Sequence, residues 1–374
     1  MPFMGKCVLH ESEDAEFMMI GVTQLVSFGR SGRSPSSRRI EGMNAPRCRD
    51  LDYIQFLVAS PRAYSCTEAA RVQPDSPRAP AHDAFTRLLH RLEPDPETLW
   101  DEARPLVEPA KGVLVIDDST LDKHHARHIG LVTRHWSGKH HDVVRGINLI
   151  TLLWTDGDRK LPVDYRLYSK DDGKSKHDHF WEMLLMAKGR GFSPKYVLFD
   201  GWYASLENLK QVRGHGWHWL TRLKGNRQVT PEDRVGRSLD EVAFGDSGKV
   251  VHLRGYGLVL VFRIDAPDGV AEYWATGDLT MDAGVRRQHA ELGFAIENYH
   301  RELKQNCGVE RSQARSERAQ RNHIGLALRA FLRLEWHFFT TGVSGFEAKL
   351  RVIRDAVRSY LDRPWIVLPE LPTA

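Results

Sequence analysis

The chain reads as an α/β fold, a mixed sheet with helices packed on it. A helical region precedes the sheet and a β-rich stretch interrupts the second half. Three observations predict this. The apolar runs in "GVLVIDDST" and "KYVLFDGWYAS" have the length of buried strands and end in aspartates, Asp117 and Asp118 in the first and Asp200 in the second. Strand-like and helical text then alternate, the order expected where helices lie on a sheet. Residues 225–282 carry runs such as "KVVHLRGYGLVLVFRI" and "EYWATGDL" that lack a helical period.

With 374 residues the chain can form two or three domains around a core of ordinary size. Hydrophobic residues at 41% and charged residues at 27% exclude a disordered or membrane-embedded class. The early apolar run "FMMIGVTQLVSF" is too short to span a bilayer and follows the acidic "HESEDAE", the wrong flank for a signal peptide. Cys7, Cys48, Cys66 and Cys307 are far apart and form no CxxC pair, which excludes a zinc ribbon or disulfide framework. The net charge of +4 is unevenly spread, with arginines at "GRSGRSPSSRR" and again between Arg311 and Arg321. Such stripes suit a polyanionic partner.

Residues 1–46 are Ser-, Gly- and Arg-rich without an apolar period. They are expected to be a disordered or non-native extension, with Met43 as an alternative start. Residues 47–110 are helical text punctuated by proline. "LDYIQFLVASP" stops at Pro61, "SCTEAARV" opens on a Ser or Thr cap, and "AHDAFTRLLHRL" is expected to be capped by Asp83. With His82, Arg87, His90 and Arg91 on the later helix, this region is either a helix-turn-helix-like DNA contact or an ordinary helical bundle. At Lys111 the character changes to sheet. Residues 128–168 form two or three meander strands broken at "TDGDRK", and "SKHDHFWEMLLMAKGRG" is a helix ended by Gly189 or Gly191. A helix follows Asp200 from about Ala204, and "WHWLTRLKGN" returns as strand. No internal repeat is visible.

The stretch "AIENYHRELKQ" then reads as one helix with two faces. Leu292, Ile296, Tyr299 and Leu303 make an apolar stripe, while Glu297, Arg301 and Lys304 share another side. Docking by the stripe holds Glu297 at the edge of the core. Phosphodiester chemistry with two metal ions needs several carboxylates together, and magnesium takes few carboxylates plus water and phosphate. Asp117 or Asp118, Asp200 and Glu297 meet that demand if the strands are neighbours. Arg311, Arg315, Arg318 and Arg321 recur at helical spacing, either as a ridge for phosphate contacts or as a solvated face paired with Glu310 and Glu317.

The motifs "VIDDST", "LFDGWY" and "IENYHRELKQ" resemble the three acidic motifs of DDE transposases of bacterial insertion sequences, nearest to the insertion-sequence-4 superfamily in its 701-like branch. The likeness runs from about Leu51 to Leu334. It implies an RNase H-like core in two parts, residues 111–224 and 283–340. A β-rich insertion at 225–282 separates them, a helical DNA-binding region fills 47–110, and a C-terminal helix and tail occupy 341–374. It also implies Asp117, Asp200 and Glu297 as catalytic metal ligands, with Asp118 in reserve for the first place, and Lys304 in the lysine place of a Tyr–Arg–Glu–Lys signature. Ala290 and Gly293 stand where that signature has tyrosine and arginine, so Arg301 becomes the candidate substitute.

The expectation is therefore a DNA transposase that binds its element's terminal inverted repeats, cleaves there and joins the ends to target DNA. It would use magnesium, with manganese able to replace it, and act as a homodimer on double-stranded DNA in a bacterial cytoplasm, at the nucleoid, without a membrane. The rival readings are an RNase H-fold nuclease without strand transfer and a non-catalytic DNA-binding relic. Lys123 is expected either to contact phosphate or to be an ordinary surface lysine. His124, His125, His128, His140 and His141 lack a completing ligand and read as turn and strand-face histidines rather than zinc ligands. Trp202 and Tyr203 are expected in the core, with stacking on a displaced base as the other reading. Phe346, Leu350, Ile353, Val357 and Tyr360 read as a packing stripe or a subunit interface.

Overall fold

The computed structural model describes residues 46–62, 64–137, 142–265 and 269–366. The expectations for residues 1–45, including the arginine cluster and Met43, and for His140 and His141 lie outside the described residues.

Four short helices come first: α1 (Asp50–Ala59), α2 (Cys66–Arg71), α3 (His82–Arg91) and α4 (Pro96–Ala103). Ser65 caps α2 as expected, and Asp95 caps α4 with Pro96 at its first position. Asp83 is not the cap of α3. That helix begins at His82 behind Ala81, and Asp83 sits inside it, paired with Arg87 at 2.6 Å. The sheet opens with β1 (Val113–Asp122), β2 (Thr133–Ser137), β3 (Asp142–Thr155) and β4 (Lys160–Tyr168). Next come α5 (Lys176–Gly189), β5 (Tyr196–Phe199), α6 (Leu206–Gly214) and β6 (His218–Leu223). Residues 225–282 hold β7 (Gln228–Val229), β8 (Arg237–Ser238), β9 (Lys249–Leu253), β10 (Gly257–Asp265) and β11 (Ala271–Thr276). The chain closes with α7 (Ala283–Gly293), α8 (Ala295–Cys307), α9 (Glu317–Thr341) and α10 (Gly345–Asp362).

Strands β4, β3, β1, β5 and β6 are neighbours in that order. β3 runs antiparallel to β1 and β4, whereas β1, β5 and β6 are mutually parallel. This is the RNase H-like mixed sheet with flanking helices. One expectation is corrected here. β1 does not end at its aspartates: antiparallel pairing with β3 carries it on to Asp122, while parallel pairing with β5 stops at Ile116. The β-rich stretch joins the same sheet, where β11 pairs with β6 and extends it through β10 to β9.

The helix expected to carry the apolar stripe is two helices, α7 and α8, that meet at Phe294. Leu292 belongs to α7, while Ile296, Tyr299 and Leu303 of α8 are buried as read. α9 crosses the core and ties the first helices to it. Asn322 donates to the Leu89 and Leu92 carbonyls, and Arg329 bridges Asp50 and Glu102 at 2.6 Å each. α10 is buried only at Lys349, whose ammonium donates to Leu57 O, Asn306 O and Tyr64 Oη. Its stripe does not pack in the core: Phe346 is 63% and Val357 49% exposed.

His323 of α9 clamps this arrangement. Its Nε2 lies 3.1 Å from Gly308 O, and a carbonyl can only accept, so Nε2 carries the proton and Nδ1 accepts from Tyr53 Oη at 3.0 Å. Gly308, at φ 60°, ends α8, and any Cβ there would lie 2.5 Å from the Tyr64 ring. Burial pushes the His323 pKa down to about 3. The unfolded chain takes up this proton near pH 6.5 and the folded one does not, so stability falls as pH drops below 6.5. Between pH 7 and pH 5 the loss from this residue is about 2 kcal/mol. Urea unfolding at both pH values should show that His323→Gln loses less stability than the native chain by about that amount. Equal losses would mean that His323 is not held neutral.

Candidate active site

Parallel pairing sets the site. Ile116 of β1 is level with Phe199 of β5, and Phe199 is level with Thr221 of β6. One residue further along each strand path stand Asp117, Asp200 and Arg222. These three neighbouring positions lie at the C-terminal end of the parallel segment, about 4.8 Å apart from strand to strand. α8 brings Glu297 over this end. Asp117, Asp200, Arg222 and Glu297 line one cavity of about 370 Å³ with Leu198, Ile296 and Trp274. Ala290 and Gly293 of α7 line it as well, and a Cβ at Gly293 would already lie 3.0 Å from the Leu198 side chain.

Alternation along β1 separates the two adjacent aspartates. Asp117 faces α8, with Oδ2 3.9 Å from Nδ1 of His300. Asp118 faces α5. Its Oδ2 accepts from Lys176 Nζ at 2.8 Å and Asn148 Nδ2 at 2.6 Å, and its Oδ1 accepts from Tyr203 Oη at 3.0 Å. Their electrostatics diverge accordingly. Burial, followed by the charges of Asp118, Asp200 and Glu297, holds the Asp117 pKa well above the usual carboxylate range. Burial also works to raise Asp118, but Lys176 and the hydrogen bonds from Asn148, Lys176 and Tyr203 outweigh it and leave that pKa below its ordinary value. The Asp200 pKa is raised by burial and by Asp118, with Arg222 opposing. Burial and then Lys304 push His300 down to about 3, so it is a neutral imidazole beside Asp117 rather than an ion-pair partner.

Crowded carboxylates of this kind are a donor set for a divalent cation, which relieves their mutual repulsion. Among the described residues no three His, Cys, Asp or Glu side chains converge to hold an ion by themselves. Magnesium commonly uses one or two carboxylates plus water and phosphate, and carboxylates sharing one cavity fit that habit.

The remaining expected site residues are distributed unevenly. Lys304 donates to Thr120 O of β1 at 2.8 Å and lies 4.0 Å from Glu310. Arg301 is exposed, donates to Asn298 and does not line the cavity. Lys123 is a correction: it is 6% exposed, and its ammonium is taken up by Glu310 O at 2.8 Å and Ser312 O at 2.6 Å. It fastens the connector between α8 and α9. The arginine ridge is also corrected. Arg311 and Arg315 lie in that non-helical connector and are exposed, so the helical spacing does not apply to them. Arg318 and Arg321 are on α9 but are paired, Arg318 with Glu93 and Arg321 with Glu317 at 2.6 Å and Asp172 at 3.4 Å. Arg222 is the cation that the sequence reading missed. The available signal was its place near the end of "WHWLTRL", the strand following the Asp200 segment.

Two aspartates and an arginine level on parallel strands, capped by a helical glutamate, make an acidic cavity at the end of an RNase H-like sheet. A family model described as DDE superfamily endonuclease matches residues 42–238, more than half of the chain, and the chain belongs to that family. That match includes Asp117 and Asp200 and stops short of Glu297. DDE endonucleases as a superfamily use divalent metal ions. Among solved structures, the chain is similar to a piggyBac transposase synaptic complex with hairpin DNA, at 12% identity and a TM-score of 0.48 over 88% of this chain and 77% of that one. It is also similar to the Drosophila P element transposase strand transfer complex, at 7% identity and a TM-score of 0.27 over 87% and 89%. No curated protein sequence matches the chain. Among the described residues no helix is long and apolar enough to cross a membrane.

Proposed function

We propose that the chain is a DNA transposase of a bacterial insertion sequence. It binds the terminal inverted repeats of its element, cleaves the phosphodiester at each end and joins the freed ends to target DNA. The observation that carries this reading is the shared cavity of Asp117, Asp200 and Glu297, with Arg222 as the cation on its wall. Two ends must be handled together, so at least two copies act on double-stranded DNA, at the nucleoid in the cytoplasm.

Asp117, Asp200 and Glu297 would hold magnesium, or manganese in its place, with one or two of them to an ion and water and phosphate completing it; the metal supplies Lewis-acid activation of the attacking oxygen and charge neutralisation at the leaving oxygen. In the first step a water oxygen bonds to phosphorus, the P–O3′ bond at the element end breaks and the 3′-oxygen leaves as a hydroxyl. In the second, that hydroxyl attacks a target phosphodiester and the target's 3′-oxygen departs. Arg222 exchanges its ion pair with Glu272, 2.8 Å away on β11, for the scissile phosphate. Lys304, anchored beside β1, adds positive charge nearby, and the exposed Arg301, Arg311 and Arg315 meet phosphates further out. Ile296, Leu198 and Trp274 exclude bulk water from the reacting phosphate.

Supplying duplex ends already cut to a free 3′-hydroxyl, together with magnesium and a supercoiled target, tests the reading. The expected result is covalent end–target joints. Cleavage of uncut ends without any joints would identify a nuclease. Binding without either reaction, unchanged by Asp200→Asn, would identify a DNA-binding relic.

A further inference from the structure

A second and larger cavity, of about 840 Å³, opens beside Asp200. It is bounded by the Gly201–Leu206 turn, the segment from Leu223 to Gln228 that follows β6, and the β9–β10 turn at Arg254 and Gly255. The walls are fixed by close backbone approaches. A Cβ on Gly201 would lie 2.7 Å from Arg222 O, and one on Gly255, at φ 82°, would lie 3.1 Å from the Leu206 side chain.

The adjacent aromatics following Asp200 divide their roles. Tyr203 is buried, stacked on Phe180 and bonded to Asp118, as the core-packing expectation had it. Trp202 is 62% exposed and lines the cavity, against that expectation. Three cations, Lys224, Arg227 and Arg254, also line it, and among the described residues none of them makes an ion pair. Glu207 is the one carboxylate on this wall. Asn226 and Gln228 add amides able to donate and accept.

We infer that this trough takes an unpaired DNA strand next to the cut phosphate, its phosphates on Lys224, Arg227 and Arg254 and a base on Trp202. Cations along a groove with an exposed aromatic platform bind single strands without needing a particular sequence. The volume lies in the range that encloses a drug-sized guest, about 300–1,000 Å³, which suits one or two nucleotides and not a duplex. The order along β6 also fits: Arg222 lines the carboxylate cavity, and Leu223 and Lys224 line the trough immediately after it. The inference rests on the proposed DNA substrate and adds the strand form that is held beside the cut.

The test uses the full chain with chelator present, so that nothing is cleaved, and measures anisotropy of labelled DNA across a salt series. The probes are a blunt duplex and the same duplex carrying a short oligo-dT tail. The native chain should bind the tailed probe about ten-fold more tightly. Lys224→Ala, Arg227→Ala and Arg254→Ala combined should abolish that preference and reduce the salt slope for the tailed probe by about 2, at roughly 0.7 per phosphate contact on a single strand. Trp202→Ala should lose most of the preference, and Trp202→Phe should keep it. A native chain without tail preference, or variants that retain it, would overturn the inference. Asp200→Asn separates the two proposals. It should keep the tail preference while losing cleavage in magnesium, and tail preference beside unimpaired cleavage would leave the trough standing and sink the carboxylate reading.

Discussion

Asp200→Asn should lower DNA cleavage in magnesium by a factor on the order of a thousand, with duplex binding unchanged. The side chain lies in the cavity shared by Asp117 and Glu297, and the amide keeps its shape while losing the charge proposed to hold a divalent cation. Loss of metal-centred stabilisation is worth several kcal/mol, and each 1.36 kcal/mol is ten-fold in rate. Asp117→Asn should behave alike. Asp118→Asn should differ, because Asp118 is engaged with Lys176, Asn148 and Tyr203 on the other side of β1. Single-turnover cleavage alongside gel-shift affinity distinguishes these outcomes. Should Asp118→Asn prove silent in folding yet as damaging to the reaction as Asp200→Asn, while Asp117→Asn is mild, the assignment of the first carboxylate would be reversed.

Arg222→Ala should slow cleavage about a hundred-fold, the usual effect of deleting one donor aimed at developing charge. Arg222→Lys should recover only part of the rate, since a guanidinium meets phosphate through two parallel N–H groups and an ammonium does not. Its partner supplies a second handle. Glu272 holds Arg222 at 2.8 Å on a surface where the arginine side chain is 47% exposed, so the ion pair itself is worth little to stability. Glu272→Gln should therefore leave the fold intact and loosen the restraint on Arg222, raising affinity for DNA rather than lowering it. Rates at saturating DNA for the alanine, lysine and Glu272→Gln chains decide the matter. A native rate in Arg222→Ala would remove this residue from the reaction.

Much of this arrangement could be read from the residues alone because burial leaves a short-range signature. The runs before Asp117 and Asp200 are apolar because their strands are covered on both faces, and the stripe Ile296, Tyr299, Leu303 is apolar because α8 docks through it. What stayed hidden depends on which distant segments become neighbours. Arg222 looks like any polar residue near a strand end until β5 and β6 pair in register with β1. Lys123 looks like a surface lysine until the connector after α8 folds over it and takes its ammonium. The arginines after Glu310 keep a helical spacing in sequence, yet the chain bends at Gly308 and does not resume a helix until Glu317. Trp202 sits next to a buried tyrosine and differs from it only because the turn at Gly201 presses against β6 and leaves the indole outside.

The helix that delivers Glu297 comes late in the chain, after β11, the strand that lies between β6 and β10. A chain cut short before α8 therefore carries both aspartates and lacks the glutamate. On the proposed reading such a shortened chain cannot close the carboxylate cavity, and any reaction waits for the segment that carries Glu297.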